Sequence, residues 1–70
     1  MRVLLLGGTA EARALAARLH PDFDIVSSLA GRVPDPALPV GSVRIGGFGG
    51  VPGLRNWLGD NNITAVVDAT

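Results

Sequence analysis

The chain has 70 residues, no cysteine, and equal numbers of acidic and basic side chains, so its formal net charge is zero. This size allows one small domain with a thin core. The lack of cysteine excludes disulfides and thiolate metal sites, and the balanced charge argues against a nucleic-acid-binding face. The first apolar run breaks at Gly7, too early for a secretory signal or a membrane span. We therefore expect a cytoplasmic protein that binds neither nucleic acid nor membrane.

The first elements predicted along the chain are a strand, a helix and a second strand. Residues 3–6, VLLL, form a continuous apolar run typical of a strand buried on both faces of a parallel sheet. A helix follows, with Thr9 as its N-cap and Pro21 ending it after His20. Residues 23–28 predict the second strand. The apolar stripe of the helix comprises Ala12, Leu15, Ala16 and Leu19.

The second half of the chain begins with an irregular segment and then repeats the alternation. Residues 30–42 contain three prolines and two glycines, which disfavour a regular helix. A short strand over 43–45 leads into GGFGG at 46–50, and Pro52 suits the first turn of a second helix. Asn61 and Asn62 end that helix, and residues 64–67 predict a fourth strand. The apolar face of the second helix is predicted to carry Val51, Leu54 and Leu58.

The resulting order, β-α-β-loop-β-α-β, predicts a parallel α/β sheet with right-handed crossovers. A strand order of 3-2-1-4 would place the two helices on opposite faces, as in the first half of a doubly wound, Rossmann-like domain. Four strands with two helices leave much apolar sheet uncovered. Residues 68–70 also stand where a further helix would begin. We therefore interpret residues 1–70 as the N-terminal part of a larger domain.

The turn after the first strand resembles a phosphate-binding turn. In the register Gly7-x-Thr9-x-x-Ala12, the first and last positions suit a tight turn and close helix packing, but threonine replaces the middle glycine. Gly8 still lets backbone N–H groups approach an anion, and Thr9 can cap the helix or donate to a phosphate oxygen. Glu11 would repel a phosphate unless it points aside or binds a ribose hydroxyl. The alternative is a plain strand-to-helix turn.

The end of the second strand favours NADPH over NADH. Enzymes of this fold that bind NAD place a carboxylate near this point to hold the ribose 2′-hydroxyl. Here the strand ends on Ser27 and Ser28, no carboxylate follows before Asp35, and Arg32 lies between them. Hydroxyls with a guanidinium suit a 2′-phosphate. The alternative is an exposed loop arginine.

Two further features lie at predicted carboxyl ends of strands, where open sheets bind ligands. The glycines at 46–50 allow close backbone approach, and Phe48 could cover a flat ligand or simply plug the sheet edge. Asp68 could bind a ligand or cap a following helix. His20 is the only histidine, so we expect no metal site. No nucleophile–base pair can be assembled, so a cofactor would have to supply any chemistry.

Four blocks in order carry a family resemblance: LLLGGTAEARALA at 4–16, SSLAGR at 27–32, VRIGGFGG at 43–50 and VVDAT at 66–70. Together they resemble the precorrin-6A reductases of cobalamin (vitamin B12) biosynthesis. Members of that family are longer than this chain and have two Rossmann-like domains. They bind NADPH at the N-terminal domain and the tetrapyrrole substrate in the cleft between the domains. The resemblance implies that this chain lacks the second, substrate domain.

The resemblance also implies an activity and a set of site residues. The activity is NADPH-dependent reduction of precorrin-6A or cobalt-precorrin-6A, an oxidoreduction of a CH–CH group by hydride transfer to the macrocycle. The alternatives are a non-catalytic NADP(H)-binding module and another Rossmann-type reductase. With Asp68 added from its place at a strand end, the expected cofactor-binding residues are Gly7, Gly8, Thr9, Glu11, Ser28, Arg32, Gly46, Gly47, Phe48, Gly49 and Asp68.

Overall fold

The computed structural model describes residues 1–31 and 38–70. The elements are β1 (Arg2–Leu6), α1 (Ala10–Leu19), β2 (Asp24–Leu29), β3 (Ser42–Ile45), α2 (Gly50–Asp60) and β4 (Ala65–Asp68). All four strands form one parallel sheet in the order β3-β2-β1-β4. The predicted α/β class, the alternation of elements and the strand order are confirmed. Neither helix in the described ranges is long and apolar enough to cross a membrane.

One face of the sheet packs against α1. Val3 and Leu5 of β1, Ile25 of β2 and Ala16 of α1 form a buried cluster. Val3 and Ile25 are register partners in the parallel ladder, so their side chains stand side by side under the helix. Each fully buried aliphatic side chain contributes about 1.5–3 kcal/mol relative to an exposed one. The small Ala16 lets the helix approach the strands closely.

The opposite face of the sheet belongs to α2. A right-handed crossover from β3 to β4 runs the other way along the sheet from the β1-to-β2 crossover, which places the two helices on opposite faces. Two contacts agree with this placement. The Arg44 guanidinium lies 5.4 Å from the Trp57 ring of α2, and Arg2 Nη1 donates to the carbonyl of Asn61, 2.6 Å away. Leu4, on the same face as both arginines, is fully buried.

The predicted apolar face of α2 is wrong at its first member. Val51 is 68% exposed, whereas Leu54 and Leu58 are half-buried. The helix begins at Gly50, so Val51 lies in the first turn, beside a glycine-rich loop that offers few side chains to cover it. The predicted end of the helix is confirmed, because Asn61 is the C-cap and Asn62 adopts a positive φ of 56°.

The amino ends of β1, β2 and β4 are joined by polar contacts. The Thr64 hydroxyl accepts from the amide of Arg2 at 3.1 Å and donates to its carbonyl at 3.0 Å. Arg2, which is half-buried, also forms an ion pair with the exposed carboxylate of Asp24, with 3.1 Å between Nε and Oδ2. Asp24 is thus an exposed residue at the start of β2 whose carboxylate pairs with β1. These contacts hold the amino ends of the strands together, at the opposite end of the sheet from the glycine-containing turns.

Candidate functional site

A cavity of about 420 Å³ lies beyond the carboxyl ends of β1 and β2. This volume falls in the usual range for small-molecule sites. The position is the one expected for an open α/β sheet, because the chain leaves β1 towards β2 and later returns on its other side as β4. The lining residues are Leu6, Gly7, Gly8, Thr9, Ser28, Ala30, Gly46, Gly47, Phe48 and Thr70.

The turn after β1 requires glycine at its first position. Gly7 has a φ of +139°, and a Cβ there would lie 2.7 Å from the carbonyl oxygen of Ala69. The turn is held from both sides, because the Gly7 amide donates to the Ser28 carbonyl at 3.1 Å and the Ala69 amide donates to the Leu6 carbonyl at 2.8 Å. Both neighbouring strands therefore set the path of the chain at the cavity.

Thr9 is the N-cap of α1, as predicted. Its Oγ1 accepts from the amide of Ala12 at 3.1 Å and its hydroxyl donates to the carbonyl of Ala69 at 3.3 Å. The cap also ties the helix start to the residue after β4. Of the two roles considered for this hydroxyl, the structure shows the capping role, and the proton is already engaged by a carbonyl.

Free backbone amides surround the start of α1. Within the described ranges, the N–H groups of Gly8, Thr9, Ala10 and Glu11 have no hydrogen-bond acceptor in the protein. Such amides, together with the helix dipole, favour an anion. Glu11 is exposed and does not line the cavity. Arg13 donates from Nη1 to the Gly8 carbonyl at 3.2 Å, so a cation also stands beside the turn.

The two serines at the end of β2 point to opposite faces and do not form one site. Ser27 is register partner of Leu5 and Val43 on the α1 side, where its buried Oγ has no hydrogen-bond partner in the described part of the chain. Ser28 faces the other side, is buried, and lines the cavity. Strand alternation explains the difference, since successive side chains leave opposite faces.

Arg44 organises the loop after β3. It is the register partner of Ser28, and its Nη1 donates to Ser28 Oγ and to the Gly46 carbonyl, both at 3.0 Å. Its Nη2 donates to the Gly47 carbonyl at 3.0 Å. The guanidinium carbon lies 3.8 Å from the centre of the Phe48 ring. One side chain thus joins the end of β2 to three consecutive residues of the loop.

Phe48 forms one wall of the cavity and packs against α2 on its other side. Its ring centre lies 5.5 Å from that of Trp57 in an edge-to-face arrangement, a favourable geometry for aromatic pairs. Gly53 permits the close approach of α2 to this loop, because a Cβ there would overlap the carbonyl of Phe48. The ring therefore fills space at the carboxyl ends of the strands and also lines the cavity, and its covering of a flat ligand stays a prediction.

Three of the predicted site residues do not line the cavity, and one lies outside the described residues. Gly49 is the left-handed N-cap of α2, and Glu11 and Asp68 are exposed. Asp68 Oδ1 accepts from the hydroxyl of Thr70 at 2.6 Å and from its amide at 3.1 Å. These two bonds, the hydroxyl one foremost, hold the pKa of Asp68 below its ordinary value of 3.8. Arg32 falls within 32–37, outside the described residues.

Comparison with known proteins gives the same family at the level of sequence and structure. Residues 2–70 match the family described as Precorrin-6x reductase CbiJ/CobK. The chain belongs to the precorrin-6x reductase family. It is 77% identical over 69 residues to a precorrin-6A reductase of Mycobacterium tuberculosis (strain CDC 1551 / Oshkosh), covering 99% of this chain and 28% of that protein. Identity to the precorrin-6A reductase of Rhodococcus erythropolis is 62% over 71 residues, covering 99% of this chain and 29% of the relative.

A solved structure agrees with this membership of the precorrin-6x reductase family. The chain superimposes on CobK precorrin-6A reductase with a TM-score of 0.89 and 46% sequence identity, covering 100% of this chain and 28% of that one. The chain therefore spans less than a third of the length of the relatives that it matches.

Two arginines outside the predicted set of site residues contact residues that line the cavity. Arg13 of α1 bonds to Gly8, and Arg44 of β3 bonds to Ser28. Period-two alternation along β3 and its pairing with β2 place Arg44 beside Ser28. This position is the feature of the sequence that could have indicated a role for Arg44 at the site. Leu6, Ala30 and Thr70 also line the cavity, each at or just beyond the carboxyl end of a strand.

Proposed function

We propose that this chain forms the cofactor-binding part of an NADPH-dependent reductase that acts on precorrin-6A or cobalt-precorrin-6A in cobalamin biosynthesis. The substrate class comes from the relatives, which are named precorrin-6A reductases. The observation that carries the cofactor proposal is the cavity at the carboxyl end of β1, whose lining includes Gly8 and Thr9, two residues whose amides have no acceptor among residues 1–31 and 38–70. The proposed compartment is the cytoplasm, as expected from the sequence.

The residues present fit a dinucleotide. The amides of Gly8 and Thr9, which line the cavity, would hold the pyrophosphate, because its oxygens accept hydrogen bonds and carry the charge that a helix start favours. Ser28 would face the adenosine ribose at the end of β2, and Phe48 would cover an apolar part of the ligand. When bound, NADPH supplies the hydride that reduces a double bond of the macrocycle. The protein's contribution is to bind and orient the cofactor and to exclude water around it.

Titration of the complete gene product with NADPH, with and without precorrin-6A, tests the proposal. We expect NADPH to bind and to be oxidised only when the macrocycle is added, with a dihydro product seen by mass spectrometry. Binding of NADPH without reduction of the macrocycle would contradict the proposed activity and favour a non-catalytic nucleotide-binding module. Oxidation with a different carbonyl or imine substrate, but not with the macrocycle, would leave another reductase.

A matched pair of variants locates the binding site. Gly47 and Gly59 both lack a strained φ, and neither has any atom within 4 Å of a built Cβ. Gly47 lines the cavity and Gly59 lies in α2 away from it. Gly47→Leu should therefore weaken NADPH binding by roughly tenfold or more, since a large side chain would occupy ligand space. Gly59→Leu should leave affinity unchanged. Equal affinities for the two variants would exclude this cavity as the cofactor site.

A further inference from the structure

Ser28 and Arg44 form a polar corner at the end of β2. The Ser28 side chain is only 6% exposed and borders the cavity. Arg44 stands beside it on β3 and donates from Nη1 to its Oγ at 3.0 Å. In the described part of the chain, the Ser28 hydroxyl takes part in that one hydrogen bond, as acceptor.

This arrangement turns the serine into a hydrogen-bond donor. A hydroxyl has one proton and two acceptor positions. The guanidinium occupies one acceptor position, so the O–H of Ser28 stays available beside the second acceptor position, and the charge of Arg44 polarises the hydroxyl towards donating. A phosphate oxygen, which only accepts, matches such a donor. A ribose hydroxyl in an NAD site is instead held by a carboxylate that accepts a hydrogen bond from it.

The charge of Arg44 has no carboxylate partner within 4.0 Å among residues 1–31 and 38–70. Its neighbours are the carbonyls of Gly46 and Gly47, the Ser28 hydroxyl, and the faces of Phe48 and Trp57. All of these are neutral, so the corner keeps a net positive charge in a half-buried place. Such a charge attracts an anion more strongly than one exposed to water would.

We propose that Ser28 and Arg44 recognise the 2′-phosphate that distinguishes NADPH from NADH. The inference rests on the proposed function, since it assumes that a dinucleotide occupies the cavity. Ser28 would donate directly to the phosphate, and Arg44 would act through Ser28 as a positioning residue that also holds the Gly46–Phe48 wall. The sequence pattern assigns the phosphate to Arg32, so the proposal adds a second cation, Arg44 of β3, which acts on the cavity through its hydrogen bond to Ser28.

Isothermal titration calorimetry of the complete gene product with 2′,5′-ADP (adenosine 2′,5′-bisphosphate) and 5′-AMP tests the assignment, because the two probes differ only in the 2′-phosphate. The variants are Ser28→Ala, Arg44→Gln and Arg44→Lys, with Arg32→Gln for the alternative cation. Ser28→Ala is the cleanest, since Arg44 keeps its bonds to the loop carbonyls and its contact with Phe48. Ser42→Ala and Arg55→Gln are the matched controls, because both residues are exposed and do not line the cavity.

We expect Ser28→Ala and Arg44→Gln to reduce the preference for 2′,5′-ADP over 5′-AMP by roughly tenfold or more, the usual effect of losing a hydrogen bond to a charged group. Arg44→Lys should retain part of that preference because it keeps the charge. Equal losses for both probes would mean that the pair only shapes the wall. Unchanged preference in Ser28→Ala, with a loss confined to Arg32→Gln, would assign the phosphate to Arg32 alone.

The wild-type protein separates this inference from the proposed function. If the wild-type protein binds 2′,5′-ADP and the Ser28 and Arg44 variants show the same probe preference as the wild type, the inference is overturned. The nucleotide site would still stand. Equal wild-type affinity for both probes would do the same, because no 2′-phosphate recognition would exist. Binding of neither probe would overturn the proposed function, and the inference with it.

Discussion

Replacing Gly7 by alanine places a side chain where the turn after β1 has no room for one. The φ of +139° is rarely adopted by residues that carry a Cβ, and that atom would lie 2.7 Å from the carbonyl oxygen and 3.0 Å from the carbonyl carbon of Ala69. Neither strand can shift freely, because the amides of Gly7 and Ala69 are both hydrogen-bonded to neighbouring strands. The strain must therefore be absorbed by the β1–β4 end of the sheet.

The expected loss of stability from Gly7→Ala has two parts. The unfavourable backbone conformation costs about 1–3 kcal/mol. Overlap with the Ala69 carbonyl adds about 1–3 kcal/mol, by analogy with overpacked cores. A chain of this size has a free energy of unfolding of only about 4–10 kcal/mol, so the sum, about 2–6 kcal/mol, is a large fraction of it.

Hydrogen–deuterium exchange of the β1 peptide in the complete gene product measures this loss locally. We expect exchange to accelerate roughly thirtyfold or more in Gly7→Ala, which corresponds to the lower end of the range. The control is Gly59→Ala, where the added methyl meets no atom within 4 Å and should stabilise α2 by about 0.5–1 kcal/mol. Unaltered β1 protection in Gly7→Ala would refute the argument that the Ala69 carbonyl forbids a side chain at this turn.

Two further predictions concern polar contacts near the cavity. Thr9→Ala should destabilise the first turn of α1 by about 1 kcal/mol because the amide of Ala12 loses its acceptor, and exchange of the α1 peptide should show it while Thr9→Ser does not. Thr70→Val should raise the pKa of Asp68 towards 3.8 because the hydroxyl bond is lost, and an NMR titration of its carboxyl carbon would measure the shift. Since the folded-state pKa is the lower one, this bond stabilises the fold above the ordinary pKa, and that contribution disappears as the pH falls through the folded-state value. An identical titration midpoint in both proteins would contradict the assignment.

The element order could be predicted because its signals are local. Apolar runs, the helical spacing of α1 and the punctuation by Pro21 and Asn61 each lie within a few residues of what they specify. The predicted limits of the strands differ from the observed limits by about one residue. Phe23, for example, was assigned to β2, but its amide bonds to the carbonyl of Leu19 and closes the turn after the helix. The hydrogen bonds that define a strand edge come from a neighbour that a local pattern does not contain.

The site was predicted in part for the same reason. Glycine positions such as Gly7 and Gly46 follow strands directly, so their place at the sheet edge could be inferred. The partnership of Ser28 with Arg44 depends on the register between β2 and β3, which no short pattern specifies. Asp68 lies at a strand end as expected, but its carboxylate is occupied by Thr70. The choice between NADPH and NADH stays a prediction, with Arg32 outside the described residues.

The amino ends and the carboxyl ends of the strands are built differently. Side-chain hydrogen bonds join the amino ends through Arg2, Thr64 and Asn61. The carboxyl ends are instead followed by glycines and, in the part of the chain that the structure describes, by backbone amides without an acceptor. Stabilising substitutions at the amino ends of the strands should therefore leave the cavity at the carboxyl ends unchanged. Evolution has the same freedom: ligand preference can drift through residues at one end of the strands while the opposite end preserves the scaffold.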